Sequence, residues 1–150
     1  MSSYYKHKIL SKQRIFLQYF KGIVNFNTIV IVMNKVMSDK SFDPSFNSIV
    51  DFRDAHIDFD EIEVERFVDI LNKQNALNRY RRAALLTNTP NQVVFLSMYT
   101  SLTEKNIVSY KIFSTTESSL QWIEVNEDFQ KNIIKKELEN LRKSPEQILI

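Results

Sequence analysis

Four side chains spaced two apart, Asp54, His56, Asp58 and Asp60, are the strongest candidates for chemistry in this 150-residue chain. In an extended segment alternate residues point the same way, so all four would share one side. Three carboxylates and an imidazole on one side suit a hard cation or an acidic edge for a partner. The run lacks the glycine that a tight calcium loop needs, so no metal is expected there. The expected role is partner binding through Asp54, His56, Asp58 and Asp60. Just upstream, Asp51, Arg53 and Asp54 form a charged turn after an apolar strand. In open α/β sheets ligands sit beyond the carboxyl ends of strands, which makes this turn the first place to look. Asp and Arg at alternate positions also make a structural ion pair at a sheet end.

Other chemistries find little support. A phospho-acceptor Asp would need an acidic pair after the first strand and a Lys after the last. Lys12 stands where the acids should be, and Lys111 falls inside the last strand. His7 and His56 are the only histidines and lie far apart in sequence, so spacing supports no Ser-His-Asp arrangement. The chain has no Cys, which excludes disulfides, thiolate metal sites and a cysteine nucleophile, and suits a reducing cytoplasm. Gly22 is the only glycine, so a Gly-rich phosphate cradle cannot be built. No catalytic residue and no cofactor is expected, and the chain reads as non-enzymatic. Arg79, Tyr80, Arg81 and Arg82 interleave an aromatic with cations, a pattern that can stack on and neutralise nucleic acid. The patch is short and the net charge only +2, so nucleic acid is not an expected partner. Anchoring the start of a strand is the expected role of these residues.

Charge is unevenly placed. Residues 1–22 carry a net +5 with His7 neutral, and residues 51–66 a net −5. No run reaches the 18 or so apolar residues that span a bilayer, so no stable membrane insertion is expected.

The elements that must position these groups can be read in order. Segments 5–10 and 14–20 read as two short strands, with Ser11, Lys12 and Gln13 between them and Gly22 ending the second. Phe26, Ile29, Val30, Met33 and Met37 fall at helical spacing, which predicts a helix over 27–37. Residues 48–52 are an almost wholly apolar strand, as a buried central strand should be. Asp60 with Glu63 resembles a capping box opening a helix with a stripe of Val64, Phe67, Val68 and Leu71. Residues 82–87 read as a fourth strand. Thr89-Pro90 opens a helix whose inner face is expected to carry Phe95, Met98, Tyr99 and Leu102. Residues 107–113 form the last strand, and Thr115 or Thr116 caps a short helix with Leu120, Trp122 and Ile123. A final helix over 127–143 carries Phe129, Ile133, Ile134, Leu138 and Leu141. It can pack on its own domain or on a second copy, so a homodimer is an open expectation. The end, 144–150, is expected to fray. The predicted architecture is an α/β mixed sheet, with an N-terminal antiparallel hairpin followed by parallel strands and helices packed on it. Residues 1–126 form the domain, and 127–150 an extra C-terminal helix and tail.

In that order the chain resembles the SpoIIAA-like branch of the STAS superfamily, the fold of anti-sigma factor antagonists. The resemblance covers roughly residues 14–124. It rests on Gly22 before the first helix, Asp51-Phe52-Arg53-Asp54-Ala55 after the third strand, and Arg82-Ala83-Ala84 opening the fourth. Val108 to Phe113 followed by Leu120-Gln121-Trp122-Ile123 is its most specific part. The resemblance implies regulation by binding a protein partner. In anti-sigma antagonists a Ser or Thr opening the second helix is phosphorylated; here that place falls near Asp58, Phe59 and Asp60. Residues 50–86 contain no Ser or Thr, so the phospho-switch does not carry over. The related architecture of CRAL-TRIO lipid-transfer domains, with 11 Phe and 6 Tyr here, motivates the alternative of a small apolar ligand.

Overall fold

A computed structural model describes residues 3–74, 77, 79–103, 107–143 and 148–149. β1 (Ser3–Leu10) and β2 (Ile15–Asn25) pair antiparallel as a hairpin. The chain then alternates: α1 (Phe26–Ser38), β3 (Asn47–Asp58), α2 (Glu61–Asn72), β4 (Arg81–Leu86), α3 (Pro90–Leu102) and β5 (Val108–Phe113). Two helices follow, α4 (Thr116–Trp122) and α5 (Asp128–Lys143), and then a two-residue strand, β6 (Ile148–Leu149). The sheet order is β5-β4-β3-β2-β1-β6, with β2 through β5 mutually parallel. This is the predicted SpoIIAA-like α/β mixed sheet. β6 is an addition, lying antiparallel to β1 where a frayed tail was expected. The rest of that tail, 144–147 and 150, lies outside the described residues.

Both faces of the sheet are covered, which explains why its central strands are apolar almost throughout. On one face Phe16, Phe20, Val50, Phe52 and Leu85 meet Val32 and Val36 of α1 and Leu96 of α3. Phe20 and Phe52 stack with centroids 4.9 Å apart, a pairing worth about 1 kcal/mol beyond its buried area. On the other face Leu17, Tyr19, Ile49 and Leu86 meet Leu120 of α4 and Ile134 and Leu138 of α5. α5 thus completes the core of its own domain. Phe129 at its start is 70% exposed.

The largest departure from the sequence reading is β3. Its apolar run stops at Phe52, but the strand runs on to Asp58, so the expected charged turn is strand. Asp51 is fully buried, and its carboxylate accepts from Arg53 Nε (2.9 Å), Nη2 (2.8 Å) and backbone N–H (3.0 Å). With its charge compensated on the spot, the strand tolerates it. β3 also carries one extra residue between the pairs Tyr19–Asp51 and Lys21–Asp54. This bulge resets the alternation, so that Phe52 and Ala55, three apart, share a core face. β2 likewise continues past Gly22, whose φ of 82° lies where only glycine is comfortable, and runs to Asn25.

β4 pairs with β3 only over Ser48–Asp51, so among the described residues the far half of β3 has no strand on that side. Side chains from α3 take the place of one. Asn91 Nδ2 donates to Ile57 O (3.0 Å), and Ile57 N–H donates to Asn91 Oδ1 (2.9 Å). Gln92 Nε2 donates to Ala55 O (2.8 Å). Gln92 is therefore on the buried face of α3 beside Leu96, whereas Leu102, expected inside, is 43% exposed.

Candidate functional site

The strand extension places Asp54, His56 and Asp58 together on one exposed face, as alternate residues should lie. They differ in what occupies them. Asp54 Oδ2 accepts from Tyr19 Oη at 2.7 Å, and Arg142 of α5 approaches at 3.3 Å. Burial works against its charge, but the bonds from Tyr19 and Arg142 outweigh it and hold the Asp54 carboxyl below its usual range. Tyr19 is pushed up, by burial first and by Asp54 second. Asp54 thus ties the end of α5 to the sheet. Asp60 is also committed: it is the N-cap of α2, accepting from Glu63 N–H at 2.7 Å in a reciprocal capping box. His56 and Asp58 are exposed, and their side chains make no hydrogen bond or ion pair among the described residues. Among those residues no three His, Asp or Glu side chains gather as a metal cluster.

A second feature lies beneath the helices. A pocket of about 170 Å³ opens between the sheet and α1, α2 and α3. Met33 of α1, Phe67 of α2, Phe95 of α3 and Phe16, Phe20 and Phe52 of the strands contribute to its wall. Aromatic side chains thus serve both as core packing and as pocket wall.

Five polar side chains reach this wall: Gln18, Ser48, Arg81, Tyr99 and Tyr110. Arg81 is the first residue of β4, in phase with buried Ala83 and Leu85. Its Nη1 donates to Ser48 Oγ at 2.7 Å. Tyr99 donates to Tyr110 Oη at 2.9 Å. Burial pushes the Tyr99 hydroxyl up, while the Arg81 charge nearby pulls the other way. Arg82 points to the opposite face and donates to Trp122 O at 2.6 Å. The basic run of the sequence is therefore split between two sides of the sheet, and Tyr80 is left 85% exposed.

Gln18 ends a polar chain that starts at the surface. His7 Nε2 lies 2.7 Å from Asp39 Oδ2, and Nδ1 lies 3.1 Å from Tyr5 Oη, which donates to Gln18 Oε1 at 2.8 Å. The His7 hydrogen bond, with help from Ser41 N–H, holds the Asp39 carboxyl below its usual range. Asp39 is the C-cap of α1, so this chain fixes α1 over the cavity.

The polar end of the cavity sits at the amino ends of β3 and β4. The candidates read from sequence lie at the opposite, carboxyl end of β3. The missed signal was phase: Arg81 alternates with Ala83 and Leu85 and so faces inward.

No family model matches the chain, and no curated protein matches it. Among solved structures it is similar to an uncharacterised DUF3478-family protein from Shewanella loihica PV-4 with a SpoIIAA-like fold. The two are 13% identical with a TM-score of 0.50, over 81% of this chain and 94% of the other. At that identity the likeness speaks for the fold. No helix among the described residues is long and apolar enough to cross a membrane.

Proposed function

We propose that this chain is a non-enzymatic binding domain that carries or senses a small apolar ligand in the cavity beneath α1, α2 and α3. The cavity itself carries the reading. Protein interiors hold few voids larger than a water molecule. The space between these helices and the sheet measures about 170 Å³. A ligand that fills it shields its apolar wall from water. An engineered cavity of about 150 Å³ in another protein takes up benzene, which sets the scale of the guest. An apolar pocket with a few converging polar groups is the general form of a small-molecule site.

Native mass spectrometry of the purified chain is expected to show a non-covalent adduct that is lost on denaturation, and 1-octanol is expected to raise the Tm. Absence of both would refute the reading.

A second reading keeps the protein-partner role for the far end of β3. Its support is that His56 and Asp58 are exposed without partners among the described residues, with Ile62 nearby in sequence and 68% exposed. Asp58→Lys tests it better than a change at Asp60, which would disturb the α2 cap. The expected result is weaker capture of a native partner at unchanged Tm; unaltered capture would remove Asp58 from the surface.

A further inference from the structure

Among the described residues no carboxylate compensates the charge of Arg81. Its Nε is shut off from solvent and has no hydrogen-bond partner. No acidic side chain among the described residues pairs with it; its one bond is to the neutral hydroxyl of Ser48. Arg81 as a whole is half-buried, but a buried N–H ordinarily finds an acceptor, because an unpaired one loses its hydration without return. Here the missing anion has a place to stand, since Arg81 and Ser48 both line the apolar cavity. Tyr99 and Tyr110 are already engaged with each other beside it.

We infer that the guest is an amphiphilic monocarboxylate, its acid group on Arg81 and Ser48 and its tail, of about six to seven carbons by the volume comparison above, in the cavity. This rests on the cavity being the binding site. The planar guanidinium offers parallel N–H donors that match the two oxygens of a carboxylate. Ser48 accepts from Arg81 and has its own O–H to donate. One facing cation matches one negative charge. Arg82 cannot add a second, since it lies on the other side of the sheet beside Glu124 at 3.3 Å. The placement also keeps the anion away from the acidic end of β3. Ten residues separate Ser48 from Asp58 along the strand, about 33 Å at the rise of an extended chain.

The test is isothermal titration of the full chain at neutral pH with octanoate and with 1-octanol, whose tails match and whose head groups differ in charge. Octanoate is expected to bind at least about tenfold more tightly, as one charge-assisted hydrogen bond predicts. In Arg81→Met that preference should vanish while 1-octanol affinity holds. Equal binding of both probes to the wild type would overturn the carboxylate assignment and leave the apolar site standing. A preference that survives in Arg81→Met would overturn the role of Arg81. Binding of neither probe would overturn the inference and the site together. Should Arg81→Met fail to fold by circular dichroism, the acid-to-alcohol comparison in the wild type still decides.

Discussion

Replacing Gln92 with Met tests how the far half of β3 is held. The side chain is fully buried and its amide is used at both atoms. Oε1 accepts from Asn88 N–H at 2.7 Å and from Thr89 N–H at 3.2 Å. Nε2 donates to Ala55 O at 2.8 Å and to Arg53 O at 3.4 Å. Met keeps the length and adapts to the space but offers no comparable polar group. The two short bonds contribute about 1 kcal/mol each, and stranding the Ala55 carbonyl and the Asn88 amide adds at least about 1 kcal/mol more. The expected loss is therefore about 3 kcal/mol. For a chain of this size that corresponds to a fall in Tm of about 6 to 12 °C. Urea unfolding and thermal melts followed by circular dichroism measure it. Val94→Ala on the same helix, at a site 60% exposed, should stay within about 0.5 kcal/mol. A Gln92→Met loss below about 1 kcal/mol would refute the view that this amide stands in for a missing strand.

Leu138→Ala should cost about 3 kcal/mol, because Leu138 is 2% exposed between α5 and the sheet; a near-neutral urea midpoint would mean that α5 is a detachable tail. Asp60→Ala removes the α2 cap and should cost about 1 kcal/mol by the same assay. Asp39→Asn tests the chain that fixes α1. Asp39 has a lowered folded pKa, with the His7 hydrogen bond as its main cause. Its contribution is therefore present above the ordinary carboxylate range and is lost as pH falls through the lowered value. The variant should trail the wild type in urea midpoint at about pH 7 and converge with it by about pH 2; a gap that does not shrink would exclude Asp39 ionisation as the source.

Local chemistry was the legible part of the sequence. Asp60 with Glu63 and Thr89 with Pro90 announced two helix starts, and both caps are formed as read. The order of strands and helices followed from apolar runs and their spacing. β3 was cut short because its second half mixes apolar Ala55 and Ile57 with exposed Asp54, His56 and Asp58. That alternation marks a strand with one open face, and Asp51 beside Arg53 disguised the join. Asp54, His56 and Asp58 share an exposed face of β3 and Asp60 caps α2, but that Asp54 is already engaged depends on Tyr19 and Arg142, distant in sequence. The cavity could not be read at all. Phe16, Phe52, Phe67 and Phe95 look alike in sequence whether or not a pocket opens among them.

The pairing of Ser3 with Leu149 brings the first and last described strands side by side. The chain is in effect a ring cut at one seam. Domains of this kind accept a new cut elsewhere when the old one is joined. The exposed residues Ser11 and Lys12, between β1 and β2, offer such a place. A permuted chain opened there would keep the parallel pairings of β2 through β5 and the helices over the cavity, and would turn β1 from the opening strand into the closing one.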